Sequence, residues 1–312
     1  MEVVLLESLK IPEEELAQLV KPLTDRGCTF TAYQRSSVEE QKKQAQNADI
    51  VMIANMPLTA EVIESCKNLK MIDIAFTGID HVDVQKAKSL GVTVCNAAGY
   101  STSTVAELTI GMMISLLRKV RENEARCRGG LAACPELGTE LGSKTVGIVG
   151  TGAIGLSVAK LCHAFGCRVI AYAPRKKDVP DYVKYVPLPD LMAQADVISL
   201  HCPMNAETKG LIGQKELAGL KKGAILVNAA RGGVVDTQAV ADALTNGKLA
   251  GAAIDVFETE PPLATDHPLL SAPNVLATPH IAYASQESMS RRAKIVFDNV
   301  LAFLDGHPAN VK

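Results

Sequence analysis

Three charged side chains in the second half of the chain each follow a short apolar run that resembles a buried β-strand. They are Arg231, Glu260 and His280. Ligands of open α/β sheets bind at the carboxyl ends of the strands. There an arginine can hold a carboxylate and polarise a carbonyl, a histidine can donate a proton, and a glutamate can orient the imidazole and favour its charged form. Together these residue types supply what the reduction of a 2-keto acid requires.

Each of the three also has a purely structural interpretation. Arg231 could stabilise its own loop by pairing with Asp236, His280 could be a packed turn residue beside Pro279, and Glu260, like Glu258, could belong to a solvated face. His81, in the first half of the chain, is the alternative candidate for the proton donor.

A glycine-rich turn provides a second, independent indication of function. The predicted strand Thr145–Val149 leads directly into Gly150-Thr-Gly152-Ala-Ile-Gly155, which opens a predicted helix. In this context the first glycine permits the tight turn, the second lets the backbone approach a pyrophosphate, and the third lets the helix pack on the strand. The helix N-terminus then offers N–H groups to the phosphates. The motif predicts dinucleotide binding.

The turn after the next strand bears on the choice of dinucleotide. NAD sites usually carry an acid about 20 residues after the glycine motif, where it binds the ribose 2′-hydroxyl. This chain has Ala173 there, followed by Pro174 and Arg175. Alanine removes a repulsion and Arg175 could pair with a 2′-phosphate, so NADP is weakly favoured over NAD. The alternative is a solvated basic turn in a protein that still binds NAD. The strand end at His201-Cys202-Pro203 is also predicted to line the dinucleotide site.

Composition limits the class of protein that positions these groups. The 312 residues suggest two domains, and 47% apolar with 21% charged residues are typical of a globular chain. The 32 basic and 34 acidic side chains argue against nucleic-acid binding. The eight cysteines lack the spacing of a zinc site or a disulfide framework, so we expect reduced thiols and no metal. No apolar run is long enough to span a membrane and the N-terminus does not resemble a signal peptide, so a cytoplasmic location is expected.

Strand-like and helix-like segments alternate along both halves of the chain, which indicates βαβ units on parallel sheets. The predicted fold class is therefore α/β with two open parallel-sheet domains. A long helix is predicted near Thr104–Arg121, with Thr104 and Glu107 forming a capping box. The final helix, near Ser285–Leu304, is expected to pack back on the first sheet.

Taken together, these motifs resemble the D-isomer-specific 2-hydroxyacid dehydrogenases, and the resemblance covers nearly the whole chain. Besides the glycine turn, it rests on the segments Asn228-Ala-Ala-Arg231-Gly-Gly, Asp255-Val-Phe-Glu-Thr-Glu260-Pro and Thr278-Pro-His280-Ile. The resemblance implies a larger Rossmann dinucleotide-binding domain over residues 99–284. It also implies a smaller, discontinuous, flavodoxin-like substrate domain over residues 1–98 and 285–312, and a homodimer.

The resemblance further implies roles for individual residues. Arg231, Glu260 and His280 would form the catalytic set, and the backbone N–H groups around Thr77 and Gly78 would hold the substrate carboxylate. The expected substrate-binding residues are Asn55, Phe76, Thr77, Gly78, Arg231 and Tyr283, with Met56 and Tyr100 nearby. The expected cofactor-binding residues are Thr104, Gly150, Gly152, Ala153, Ile154, Gly155, Arg175, His201, Cys202, Pro203, Thr208, Ala229, Ala230, Arg231, Asp255, His280 and Ala282.

The expected reaction passes a hydride between NAD(P)H and a small 2-keto acid, such as glyoxylate, hydroxypyruvate or a short-chain keto acid, to give a D-2-hydroxy acid. Some relatives of this family act as corepressors, so a dinucleotide-responsive binding protein without significant turnover is the alternative.

Overall fold

The computed structural model of the chain describes residues 1–259 and 263–312. The chain forms two compact units, of which unit 1 comprises Met1–Ser101 and Ala284–Lys312, and unit 2 comprises Thr102–Tyr283. Each unit contains one open sheet in which all paired strands are parallel. The predicted α/β fold class is confirmed.

Unit 1 contains a five-stranded sheet in the order β2-β1-β3-β4-β5. This is the order of flavodoxin-like sheets, in which ligands bind where the strand order reverses. Its strands β3 and β4 are buried along their whole length, as expected for apolar strands covered by helices on both faces. The strands are β1 Glu2–Leu5, β2 Thr29–Ala32, β3 Ile50–Ile53, β4 Met71–Ile74 and β5 Thr93–Asn96.

The helices of unit 1 start where the sequence provides caps or acidic first turns. Ser37 and Glu40 form a capping box, and the side chain of Asp83 accepts a hydrogen bond from the Lys86 N–H. The terminal helix contacts the first helix and β4, which confirms that it packs back on the first sheet. The helices are α1 Glu13–Asp25, α2 Val38–Ala45, α3 Ala60–Ser65, α4 Val84–Ser89 and, at the C-terminus, α12 Gln286–Leu304.

Unit 2 contains a seven-stranded sheet in the order β12-β11-β10-β9-β6-β7-β8. The strands are β6 Thr145–Val149, β7 Arg168–Tyr172, β8 Val183–Tyr185, β9 Val197–Leu200, β10 Ile225–Asn228, β11 Gly251–Ile254 and β12 Val275–Ala277. The helices are α5 Thr102–Leu117, α6 Val120–Arg128, α7 Ala153–Ala164, α8 Leu188–Gln194, α9 Gln214–Ala218, α10 Thr237–Thr245 and α11 Pro268–Ser271.

The prediction of one long helix over Thr104–Arg121 is wrong in two respects. The helix starts at Thr102, so Thr104 is an internal residue and not the N-cap. It ends at Leu117, and a second helix, α6, follows from Val120. Lys119 between them has a φ of 51°, a left-handed conformation that interrupts a right-handed helix. Apolar periodicity does not reveal a break caused by one backbone angle.

Among the described residues, none of the helices combines the length and the apolar character that crossing a bilayer requires. All eight cysteines are free.

A buried carboxyl lies in the centre of unit 1. Asp73 of β4 is fully buried, and its Oδ1 accepts a hydrogen bond of 3.0 Å from the Asn299 side chain of α12. Burial raises the pKa of Asp73 to about 8, and the Asn299 hydrogen bond acts weakly in the opposite direction. Asp73 is therefore predominantly protonated at neutral pH.

We predict that Asp73→Asn makes the protein more stable at high pH. Because the folded-state pKa lies above the ordinary value, ionisation of Asp73 destabilises the fold progressively as pH rises from about 4 to about 8. Asparagine has nearly the same shape and does not ionise. The Tm of the variant should exceed that of the wild type by on the order of 5 °C at pH 8.5, and by much less at pH 5.

Thermal unfolding across this pH range measures the effect. Asp25→Asn, which removes an exposed carboxylate from the same unit, is the control for the loss of one negative charge. An equal change in Tm at pH 5 and pH 8.5 would contradict the raised pKa.

Candidate functional site

The glycine turn between β6 and α7 is built by close contact of backbone segments. Gly150 has a φ of 100°, and its N–H donates to the Tyr172 carbonyl at 2.8 Å. A Cβ on Gly150 would collide with the backbone of His201 and Cys202, and a Cβ on Gly155 would collide with the Gly150 carbonyl oxygen. Both positions therefore require glycine, for the turn and for helix packing respectively.

Gly152 is different, because a Cβ there would have no neighbour within 4 Å. It is the N-cap of α7 and makes no side-chain capping bond, so the first N–H groups of this 12-residue helix are available to a ligand. An anion at this end is favoured by the helix dipole. The turn fits the pyrophosphate of a dinucleotide.

A cavity of about 260 Å³ lies beside the glycine turn. Three predicted cofactor-binding residues, Gly150, Cys202 and Thr208, line it together with Tyr172 and Pro174. The Thr208 hydroxyl donates to the Pro203 carbonyl at 2.6 Å and accepts from the Asn205 N–H at 2.9 Å, which fixes the loop after β9. The predicted residues after β6, β7 and β9 therefore meet at one edge of the sheet.

Tyr185 of β8 connects the glycine turn to the basic turn, a link that the sequence did not reveal. Its hydroxyl lies 2.8 Å from the Thr151 hydroxyl and accepts from the Lys177 N–H at 3.4 Å. The Lys176 ammonium lies 5.7 Å from the centre of its ring. Arg175 is exposed on this turn. Strand β8 has only three residues, too few for an alternating pattern to predict it.

His201 lies beneath the glycine turn. Its Nε2 lies 2.8 Å from the Ser199 hydroxyl, and burial lowers the pKa of the imidazole to about 3. His201 is therefore neutral at physiological pH. Its predicted cofactor contact stays a prediction.

Three adjacent strands, β10, β11 and β12, end at the same edge of this sheet, and Arg231, Asp255 and His280 follow them. The Asn228 side chain shapes the turn that carries Arg231, since it donates to the Arg231 carbonyl at 3.0 Å and accepts from the Ala230 N–H at 3.1 Å. The next residue, Gly232, packs so tightly on Phe257 that a Cβ would overlap the backbone. This close packing explains why a glycine follows Arg231.

Asp255 organises the loop that carries His280. One carboxylate oxygen accepts from the Thr278 hydroxyl at 2.6 Å and the Ile281 N–H at 2.9 Å, and the other accepts from the Ala282 N–H at 2.8 Å. Burial raises the pKa of Asp255, whereas these three bonds and the nearby His280 act in the opposite direction. Asp255 thus stabilises this loop, and its expected contact with the nicotinamide stays a prediction.

His280 adopts an uncommon backbone conformation with a φ of 52°. Its N–H donates to the Asp255 carbonyl at 2.8 Å, and its ring meets Tyr283 edge-on at 5.3 Å between centroids. The backbone at His280 is therefore fixed by a hydrogen bond to Asp255, the residue that follows β11. The predicted residues Ala229, Ala230, Ala282, Ala153 and Ile154 lie in the same loops or in the first turn of α7, and Thr104 lies near the start of α5.

Two glutamates, Glu258 and Glu260, follow β11, and the described residues include only Glu258. Glu258 accepts from the Thr237 hydroxyl and lies 3.4 Å from Nε2 of His267, which supports its structural interpretation. Glu260, the predicted third member of the catalytic set, lies outside the described residues.

The substrate-binding candidates of unit 1 follow β3 and β4, which are adjacent. The buried carboxylate of Glu7 accepts from the N–H groups of Ala54 and Met56 at 2.9 and 2.6 Å, which fixes the loop around Asn55. The Arg35 guanidinium donates to the side-chain Oδ1 of Asn55 at 3.4 Å. Glu7 and Arg35 were not expected from the sequence, because an isolated acid or arginine after a strand carries no motif.

Phe76 and Thr77 follow β4, and the Thr77 carbonyl accepts a hydrogen bond from the Asn96 side chain. Phe76 packs against Tyr100 and His81, at ring separations of 6.1 and 6.2 Å. Tyr100 and Met56 are 1% and 2% exposed, and their expected place near the substrate stays a prediction.

Comparisons with known proteins agree with this geometry. A family model described as "D-isomer specific 2-hydroxyacid dehydrogenase, NAD binding domain" matches residues 110–282. The chain is 36% identical to a hydroxypyruvate reductase of Blautia hydrogenotrophica over 291 residues, which are 89% of this chain and 90% of that protein.

Two solved structures have the same fold over nearly the whole chain. One is an acyclic imino acid reductase in complex with NADPH and D-Arg, with a TM-score of 0.92, 29% identity and full coverage of both chains. The other is a D-lactate dehydrogenase of Aquifex aeolicus complexed with NAD and lactic acid, with a TM-score of 0.87 and 31% identity, covering 98% of this chain and 96% of that one.

We predict that alanine at Gly155 lowers the stability of the protein, whereas alanine at Gly152 weakens nucleotide binding. Gly155→Ala should lower the Tm by roughly 10 °C, because its Cβ collides with the backbone of Gly150. Gly152→Ala should leave the Tm within about 2 °C and raise the Kd for NADH and NADPH at least roughly 10-fold, because the methyl group occupies the space that the pyrophosphate needs.

Thermal unfolding and nucleotide fluorescence titration measure the two effects, and each variant is the control for the other. Unchanged nucleotide affinity of Gly152→Ala would exclude this turn as the phosphate site.

Proposed function

We propose that this chain, which belongs to the D-isomer specific 2-hydroxyacid dehydrogenase family, transfers a hydride between NAD(P)H and a small 2-keto acid to give a D-2-hydroxy acid. Glyoxylate, hydroxypyruvate and short-chain keto acids are the candidate substrates. Among the relatives are proteins named hydroxypyruvate reductase and glyoxylate reductase, which supports this choice.

The observation that carries the proposal is the placement of Arg231 and His280. Both follow strands that end at the edge of the sheet where the glycine turn lies, and both are held by buried groups, Asn228 and Asp255. A guanidinium and an imidazole on braced loops beside a dinucleotide-binding turn are suited to a carbonyl that accepts a hydride.

In the proposed reaction the nicotinamide supplies the hydride. Arg231 polarises the carbonyl of the 2-keto acid, and His280 gives a proton to the carbonyl oxygen as the hydride reaches carbon. The role proposed for Glu260 is to keep the imidazole in one orientation. The backbone N–H groups of Thr77 and Gly78 bind the substrate carboxylate.

We predict measurable oxidation of NADPH or NADH, followed at the nicotinamide absorbance band, with at least one of glyoxylate, hydroxypyruvate, pyruvate and 2-ketoisocaproate. Arg231→Ala should lower kcat/KM by roughly 10³-fold, because it removes the group that stabilises the developing negative charge. Arg168→Ala, which removes an exposed arginine on the same unit, should change kcat/KM less than about twofold.

An Arg231→Ala enzyme that retains most of its kcat/KM would disprove the assigned role. Nucleotide binding without turnover of any of the four acids would instead favour a dinucleotide-responsive binding protein.

For the cofactor, we propose that NADPH is preferred, because alanine at position 173 and the exposed Arg175 leave room and charge for a 2′-phosphate. Ala173→Asp should shift the ratio of kcat/KM for NADPH over NADH towards NADH by at least roughly 10-fold, through carboxylate–phosphate repulsion. Arg175→Ala should weaken NADPH binding and leave that of NADH nearly unchanged. An unchanged ratio in Ala173→Asp would show that this turn does not contact the ribose.

A further inference from the structure

Asn96, the last residue of β5, forms a side-chain hydrogen bond with the loop that follows the neighbouring strand β4. It is 3% exposed, and its Nδ2 donates to the Thr77 carbonyl at 2.7 Å. Its Oδ1 is buried and makes no hydrogen bond with the part of the chain described. The Asn96 side chain thus donates to a backbone carbonyl in the loop after β4, three residues beyond the end of that strand.

This hydrogen bond also determines where the next N–H points. A peptide group is planar and trans, so the C=O of Thr77 and the N–H of Gly78 point to opposite sides of the same bond. A donor that holds the carbonyl on the Asn96 side holds the Gly78 N–H on the other side. Rotation of this peptide would turn a carbonyl oxygen towards any anion that the N–H would otherwise bind.

We propose that Asn96 is a positioning residue that aims the Gly78 N–H at the substrate carboxylate. This inference rests on the proposed function, which assigns carboxylate binding to this loop. Asn96 does not touch the substrate itself, and acts through the orientation of one peptide group.

The rest of the loop is anchored without the Asn96 side chain. The Ala97 N–H donates to the Phe76 carbonyl at 3.1 Å and to the Ile74 carbonyl at 2.9 Å. These bonds keep the loop next to β5 when the side chain of Asn96 is shortened. Its removal should therefore leave the loop attached and free the Thr77–Gly78 peptide to rotate.

Asn96 is held in turn by residues from the other end of the chain. The Asn299 side chain of α12 donates to the Asn96 carbonyl at 3.1 Å and to Asp73 at 3.0 Å, and accepts from the Asn310 side chain at 2.8 Å. The Asn96 N–H donates to the Asn310 carbonyl at 3.2 Å. Strand β5 is at the edge of its sheet, and the C-terminal segment covers part of that edge by a bridge from Val311 to Cys95.

The test compares Asn96→Ala and Asn96→Asp with Val62→Ala, a cavity-forming change at a buried site in α3. Asn96→Ala should raise the KM for the keto acid by roughly 10- to 100-fold, with kcat within about threefold. The Kd for NAD(P)H should not change, because the predicted cofactor contacts lie in unit 2. Asn96→Asp keeps the shape but turns a carboxylate oxygen towards the Thr77 carbonyl, so its KM should rise further.

A merely structural role predicts a different pattern, in which the Asn96 variants and Val62→Ala lose stability to a similar degree and keep the wild-type KM. That outcome would overturn the inference. So would an increase in the Kd for NAD(P)H as large as the increase in KM.

Hydrogen–deuterium exchange gives a readout that does not depend on turnover. Peptides covering residues 76–80 should exchange faster in Asn96→Ala than in Val62→Ala, whereas other peptides of unit 1 should match. If the wild type reduces no keto acid, the proposed function fails, and the exchange pattern still decides whether Asn96 positions the loop. Equal exchange of residues 76–80 in the two variants would reject the positioning role on its own.

Discussion

The arrangement of loops at the sheet edge of unit 2 depends on the hydrogen bonds that the buried carboxylate of Asp255 accepts. It lies at the end of β11 and accepts three hydrogen bonds from the loop that follows β12. A carboxylate without exposure to water is costly, and such groups persist where several donors surround them. The bonds fix the loop so that His280 keeps a left-handed backbone that few residues other than glycine adopt. The same loop ends at Tyr283, the last residue of unit 2.

Close packing of backbone against backbone is the second constraint on this sheet edge. Gly150, Gly155 and Gly232 each occupy a place where a methyl group would overlap main-chain atoms of a neighbouring loop. Loops that approach so closely bring the residues after several strands into one small region, where their N–H groups and side chains can act on one ligand. Gly152 differs from these three, since a methyl group there would have no neighbour within 4 Å.

Unit 1 uses side-chain amides and carboxyls in place of glycines to fix its loops. Glu7 holds the loop after β3 through two N–H groups, and Asn96 holds the loop after β4 through one carbonyl. Asn299 and Asp73 connect this second loop to α12 through the core of the unit. These hydrogen bonds join the two segments of the chain, Met1–Ser101 and Ala284–Lys312, that form unit 1.

Local pattern in the sequence determined the α/β class, most strands and helices, and the glycine turn between β6 and α7. These depend on apolar runs, on periodicity and on a fixed glycine spacing, all of which short segments carry by themselves. The break at Lys119, the short strand β8 and the small helix α11 escaped prediction, because a single backbone angle or three to four residues leave no periodic signal.

Only the tertiary structure decided which polar groups brace the site. The three partners of Asp255 lie 23 to 27 residues away, Asn96 and Asn299 are separated by 203 residues, and Tyr185 reaches Thr151 across 34. A hydrogen bond between such positions requires particular distances and angles, and these arise only when separate strands and helices pack together. The sequence therefore determined which kinds of residue end each strand, and the packing determined which of them hold the loops in place.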